Sequence, residues 1–130
     1  MDVESAADVQ EIMDDIVRTL GLGHINEFRI ICMRSHNAKA RAYARIWNLP
    51  DIWQKALEVR TSYIIEVLSE KFDVLSETEK KKVVIHELLH IPKTFSGALL
   101  GHAYGNKKID GKTVEAIYKE YAKRKESGHF

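Results

Sequence analysis

Residues 76 to 92, SETEKKKVVIHELLHIP, carry both a start and a stop for one helix and leave little freedom over what that helix presents. Ser76 followed three residues on by Glu79 is a capping box: the serine hydroxyl takes a free amide of the first turn, and the glutamate reaches back to the cap amide. The helix is therefore expected to begin at Glu77. Pro92 has no amide to donate and disfavours helical geometry in the residue before it, so the helix should stop near Ile91. Within these limits His86 and His90 lie four apart, one above the other on one face, placed to offer two imidazoles to one metal ion. Glu87 stands about 100° further round a helix of roughly 3.6 residues per turn, beside such an ion rather than on it. Zinc draws the pKa of a coordinated water to roughly 7, and a carboxylate in that place can take the proton as the water attacks a carbonyl. The HExxH pattern thus points to Zn2+ as cofactor and to a peptide or protein substrate.

The rest of the composition bounds what surrounds that helix. At 130 residues the chain suits one domain, residues 1–130, with one core. Lys and Arg number 20 against 19 Asp and Glu. No bulk field draws the chain onto nucleic acid or anionic lipid, and no nucleic-acid partner is expected. Asp2, Glu4, Asp8, Glu11, Asp14 and Asp15 give the wrong sign for the basic start of a secretory signal. The apolar runs fall far short of the roughly 20 residues that cross a bilayer. Cys32 is the single cysteine, which excludes an intrachain disulfide and a cysteine-based zinc knot. A cytoplasmic, reducing location without a membrane span fits these features.

Hydrophobic spacing divides the remainder. Val9, Ile12, Ile16 and Leu20 recur as in an amphipathic helix over residues 5–20, which Gly21 and Gly23 end. Three strands are expected at Glu27 to Met33, at residues 42–47 and at residues 62–68. Pro50 and Asp51 start a short turn or helix through Leu57. Residues 69–75 connect to the zinc helix with Phe72 and Leu75 turned inward. Gly97, Gly101, Gly105 and Gly111 make the next segment a set of turns. Thr113 is placed to cap a last helix over residues 114–125. The expected fold is α+β: an N-terminal helix, a small three-stranded sheet, the zinc-binding helix and a C-terminal helix.

A catalytic zinc usually takes three protein ligands and keeps one position open, so a further donor is needed downstream of His90. His102 ranks first, since Gly101 and Gly105 beside it allow close approach of the backbone. Phe95 and Ser96 stand where the HExxHxxGxxH pattern wants its last histidine, which excludes that pattern. Glu115 or Glu120, from a following helix, are the alternatives.

The stretch VVIHELLHIPKTFSGALLGHAYG resembles the core of the minigluzincins, very short metallopeptidases related to the phage-type and archaeal zinc metallopeptidases. RIWNLPDIWQKAL and SYIIEVLSEKFDVLSETEK are similar to that family's upstream strands and its lead into the active helix, so the likeness covers residues 25–106. It implies His86, His90 and His102 as metal ligands and Glu87 as general base. The minigluzincins also resemble the catalytic domains of integral membrane peptidases, whose membrane helices this chain lacks. The likeness further implies a latent, zymogen-like state. In that state the C-terminal segment, residues 107–130, would block the cleft of its own or a neighbouring molecule through His129 or the terminal carboxylate, a route to self-association.

Other features have plainer readings. Tyr104 is a candidate oxyanion donor or a packing tyrosine. His24 and His36 read as structural or solvent-facing, and Cys32 as a small buried residue. Lys39, Arg41 and Arg45, interleaved with Tyr43 and Trp47, form either a phosphate-contacting strip or one solvated strand face. Residues 62–68 would hold an extended substrate by main-chain pairing if that strand lies at an edge. The competing function is a non-catalytic zinc-stabilised protein- or nucleic-acid-binding module, whose metal would be closed by a fourth protein ligand.

Overall fold

The computed structural model describes residues 2–104 and 107–128, apart from the side chains of Tyr104 and Lys107. The chain folds as α+β, with helices on one face of a mixed sheet. The sheet contains β1 (Asp2–Ser5), β2 (Ile30–His36), β3 (Ala44–Asn48) and β4 (Tyr63–Leu68), in the spatial order β1-β2-β4-β3. β2 and β4 run parallel, while β1 and β3 lie antiparallel to their neighbours.

Four strands stand where three were expected, and the reason is that β1 has no apolar alternation to reveal it. All its residues are exposed, and it is held by main-chain pairing with Met33 to His36. The ladder continues past its end in another form. The Ala6 amide donates to the Cys32 carbonyl at 3.0 Å. The Gln10 side chain then accepts from the Cys32 amide at 2.9 Å and donates to the Ile30 carbonyl at 3.0 Å. A glutamine thus stands in for a strand neighbour along the rest of β2.

β2 begins at Ile30 rather than Glu27, because the Asn26 side chain accepts the Phe28 amide and turns residues 27–29 into a 3-10 helix. Residues 62–68 form β4, an interior strand rather than an edge, with Tyr63, Ile65 and Val67 buried on the helix side. The edge facing the expected site is β3. On the outer face of the sheet, Arg45 and Trp47 of β3 both donate to the Glu66 carboxylate at 2.7 Å. Two of the five residues of the supposed phosphate-contacting strip are thereby occupied within the molecule.

Helix α1 (Ala7–Leu20) buries Val9, Met13, Ile16 and Val17 and ends at Gly21, whose φ of 62° closes the turn without a steric penalty. Helices α2 (Asp51–Leu57) and α3 (Ser69–Phe72) are short, and α3 buries Phe72 as expected. Helix α4 (Glu77–Leu88) starts at the anticipated capping box, where the Ser76 hydroxyl accepts the Glu79 amide at 3.1 Å. Regular α geometry stops at Leu88, and the chain tightens before Pro92: the His90 amide donates to Glu87 and the Ile91 amide to Leu88, each at 3.1 Å.

The glycine-studded segment forms turns and a hairpin of β5 (Ala103–Tyr104) with β6 (Lys107–Lys108). Helix α5 (Gly111–Ser127) begins earlier than expected, since Asp110 rather than Thr113 caps it. The Asp110 carboxylate accepts the Thr113 amide at 3.0 Å. Val114 and Tyr121 bury one face of α5 against α1 and α4. The Tyr121 hydroxyl donates to Asp15, and Lys82 pairs with Glu115 at 2.6 Å. Among the described residues no helix is long and apolar enough to cross a membrane.

Because Ser76 satisfies an amide that nothing else serves, Ser76→Ala should cost ~1 kcal/mol. The expected readout is a lower midpoint of urea unfolding with an unchanged slope, the signature of lost stability without a change in exposed area.

Candidate metal centre

His86 projects from the last turn of α4 and His90 from the tightened turn that follows it, and His102 reaches the same point from the far side of the loop 91–102. Their ligand atoms all lie within 4.8 Å of one another. The Nε2 atom of His86 is 3.2 Å from that of His102 and 3.4 Å from that of His90. A tetrahedral ion with bonds of about 2.0–2.1 Å holds neighbouring nitrogens roughly 3.3–3.4 Å apart. Two measured edges therefore match such a site, and the donors present fit a metal ion.

The tautomer agrees with that reading. Nδ1 of His90 faces the Leu100 carbonyl at 2.5 Å, and since a carbonyl only accepts, Nδ1 carries the proton and Nε2 keeps its lone pair. Burial, then the neighbouring His90 and His102, lowers the pKa of His86 and holds it in the neutral form that can ligate.

The loop that brings His102 into place is fastened at several points. The Leu100 amide donates to the His90 carbonyl at 2.7 Å, so Leu100 grips His90 through both main chain and ring. Earlier in the loop the buried Tyr63 hydroxyl accepts the Gly97 amide and donates to the Ala98 carbonyl, each at 2.9 Å. Asn48 of β3 donates to the Gly97 carbonyl at 2.8 Å. Gly97 has φ of 93°, a conformation that calls for glycine, and a Cβ there would displace the Gln54 side-chain amide, 2.7 Å away. Beyond the histidine, its carbonyl accepts the Ile109 amide at 2.7 Å.

Sequence reasoning did not find Tyr63, Asn48 or Leu100. A hydroxyl on the core side of a strand was the one available signal, since a buried tyrosine needs a polar partner. The main-chain contacts of Leu100 leave no trace in residue type.

Glu87 lies next to His86, buried, and burial pushes its carboxyl up to about 8. A cleft of about 420 Å3 opens on this side, walled by Tyr43, Ala44, Val83 and Val114, with His86 and Glu87 in its lining. The other expected donors are elsewhere: Glu115 pairs with Lys82, and Glu120 pairs with Arg124 at 2.9 Å. His36 faces Glu4 at 2.5 Å, and His24 lines a separate cavity. The Tyr104 side chain, His129 and the terminal carboxylate lie outside the described residues.

A family model described as "Putative phage metallopeptidase" matches residues 1–122, extending past the residues 25–106 of the sequence resemblance to include β1, α1 and most of α5. Searches of curated proteins and of solved structures returned no match.

Tyr63→Phe removes an acceptor for the Gly97 amide and a donor for Ala98. It should lower stability by about 1–3 kcal/mol. It should also weaken zinc uptake, measured by titration against a chromogenic chelator, because the loop carrying His102 loses an anchor.

Glu87 adds a pH prediction for the metal-free chain. Its folded pKa of about 8 lies above the ordinary value of 4.5, so the folded state keeps a proton that the unfolded state releases. The contribution is fully present below 4.5 and is lost as pH rises through about 8. In the presence of chelator, the stability of wild type relative to Glu87→Gln should fall across that interval in urea unfolding.

Proposed function

This chain belongs to the phage metallopeptidase family, and from that premise we propose that it hydrolyses peptide bonds with zinc held by His86, His90 and His102 and with Glu87 as general base. The observation that carries the proposal is the meeting of three imidazole nitrogens within 4.8 Å of one another, with those of His90 and His102 each at tetrahedral spacing from that of His86, beside a buried carboxylate and an open cleft. Bound there, zinc supplies Lewis acidity, acidifying water and polarising a carbonyl. Glu87 would take a proton at its carboxylate and pass it to the leaving amine.

The cleft bears on substrate. Its walls of Tyr43, Ala44, Val83 and Val114 favour an apolar side chain. The free edge of β3 offers main-chain groups to an extended peptide, taking the role first considered for residues 62–68. Among the described residues three donors converge, whereas a closed structural zinc is normally four-coordinate, which favours the peptidase over the binding module. Latency would reside beyond α5, because α5 itself is built into the core through Val114 and Tyr121.

The test combines metal analysis with cleavage of casein and of short peptides, by the full chain and by a chain lacking residues 126–130. Glu87→Gln should keep its zinc and lose cleavage by a factor of about 100 or more. His102→Ala should lose zinc. If wild type carries zinc and cleaves nothing in either form, the binding module is the correct reading.

A further inference from the structure

On the side of α4 away from the cleft lies a second hollow, a cavity of about 440 Å3 enclosed by α1, α4, α5 and the loops at 22–25 and 91–100. Its wall is aliphatic, formed by residues such as Ile16, Ile25, Ile85, Leu88, Leu100 and Ile117. An apolar cavity of about 150 Å3 already takes up benzene, so this one has room for an aliphatic chain of about ten carbons. Its size also falls within the range of roughly 300–1,000 Å3 typical of small-molecule sites.

The polar residues of the lining are His24, Lys93 and Glu120, and the exposure of Lys93 and Glu120 marks the mouth. Their charges do not cancel. Glu120 pairs with Arg124 at 2.9 Å, while no ion pair of Lys93 is formed among the described residues. The carbonyls of Thr19 and Leu20, which would repel an anion at the end of α1, accept the Arg124 guanidinium at 3.3 and 2.9 Å. His24 shares this lining with Lys93, and burial, then the nearby ammonium, lowers its pKa.

We propose that this cavity binds a medium-chain aliphatic carboxylate, its chain among the aliphatic side chains and its carboxylate against Lys93 and His24. The site is separate from the metal centre but shares Leu100 with it, the residue that grips His90.

The test is calorimetric titration of the full chain with decanoate, 1-decanol and decyltrimethylammonium below their micelle concentrations. Decanoate should bind saturably at one site, decanol more weakly and the cation most weakly. Lys93→Glu, at an exposed position, should weaken decanoate by about tenfold, equivalent to ~1.4 kcal/mol. Ile117→Trp, which fills the cavity, should abolish binding while the circular dichroism spectrum is kept. Absence of saturable decanoate binding would overturn the proposal, as would equal binding of the cation or undiminished binding by Lys93→Glu. These readouts require no zinc and no cleavage, so their failure leaves the peptidase reading untouched, and failure of that reading leaves them intact.

Discussion

The contact on which the site depends is the double grip of Leu100 on His90. One residue of an irregular loop receives the ring proton of a histidine through its carbonyl and returns its own amide to that histidine's carbonyl. The pairing orients the His90 ring, selects its tautomer and fixes the chain two residues before His102. A helix by itself can present two imidazoles at four-residue spacing, but the third must come from elsewhere in the sequence, and long-range placement is what a loop does least well. Here the loop is bonded to the very ligand it must join, so errors in one position are shared with the other.

Behind that grip stands the sheet. Tyr63 in β4 and Asn48 in β3 hold Gly97 and Ala98, so the strands act as a datum for the loop as well as a floor for the helices. Ile65 and Val67 of β4 share the common core with Val84, Ile85 and Leu88 of α4. Both routes to the candidate metal centre, through the helix and through the loop, therefore draw on the sheet. Burial of Glu87 has the same origin, since α4 can press its carboxylate into an apolar surround only because β3 and α5 close in on either side.

Much of this was legible in the chain itself. The capping box of Ser76 and Glu79 and the four-residue spacing of His86 and His90 depend on local chemistry, and local chemistry is written in neighbouring residues. β1 was not legible, because Asp2 to Ser5 have no apolar face and are held by backbone alone. The start of α5 was missed because Asp110 and Thr113 are both competent caps, and the choice depends on the Lys108 carbonyl that occupies the threonine hydroxyl. The interior position of β4 was not legible either, since strand order is set by which faces meet, not by the composition of any one strand.

The two outer strands have consequences of opposite kind. β1 is short, wholly solvated and carries Asp2 and Glu4, which is how natural sheets deter a stranger from joining the ladder. β3 lacks that acidic guard, lies beside α4 and opens toward the cleft through Ala44. The sheet is therefore asymmetric, one border set with carboxylates and the other without them.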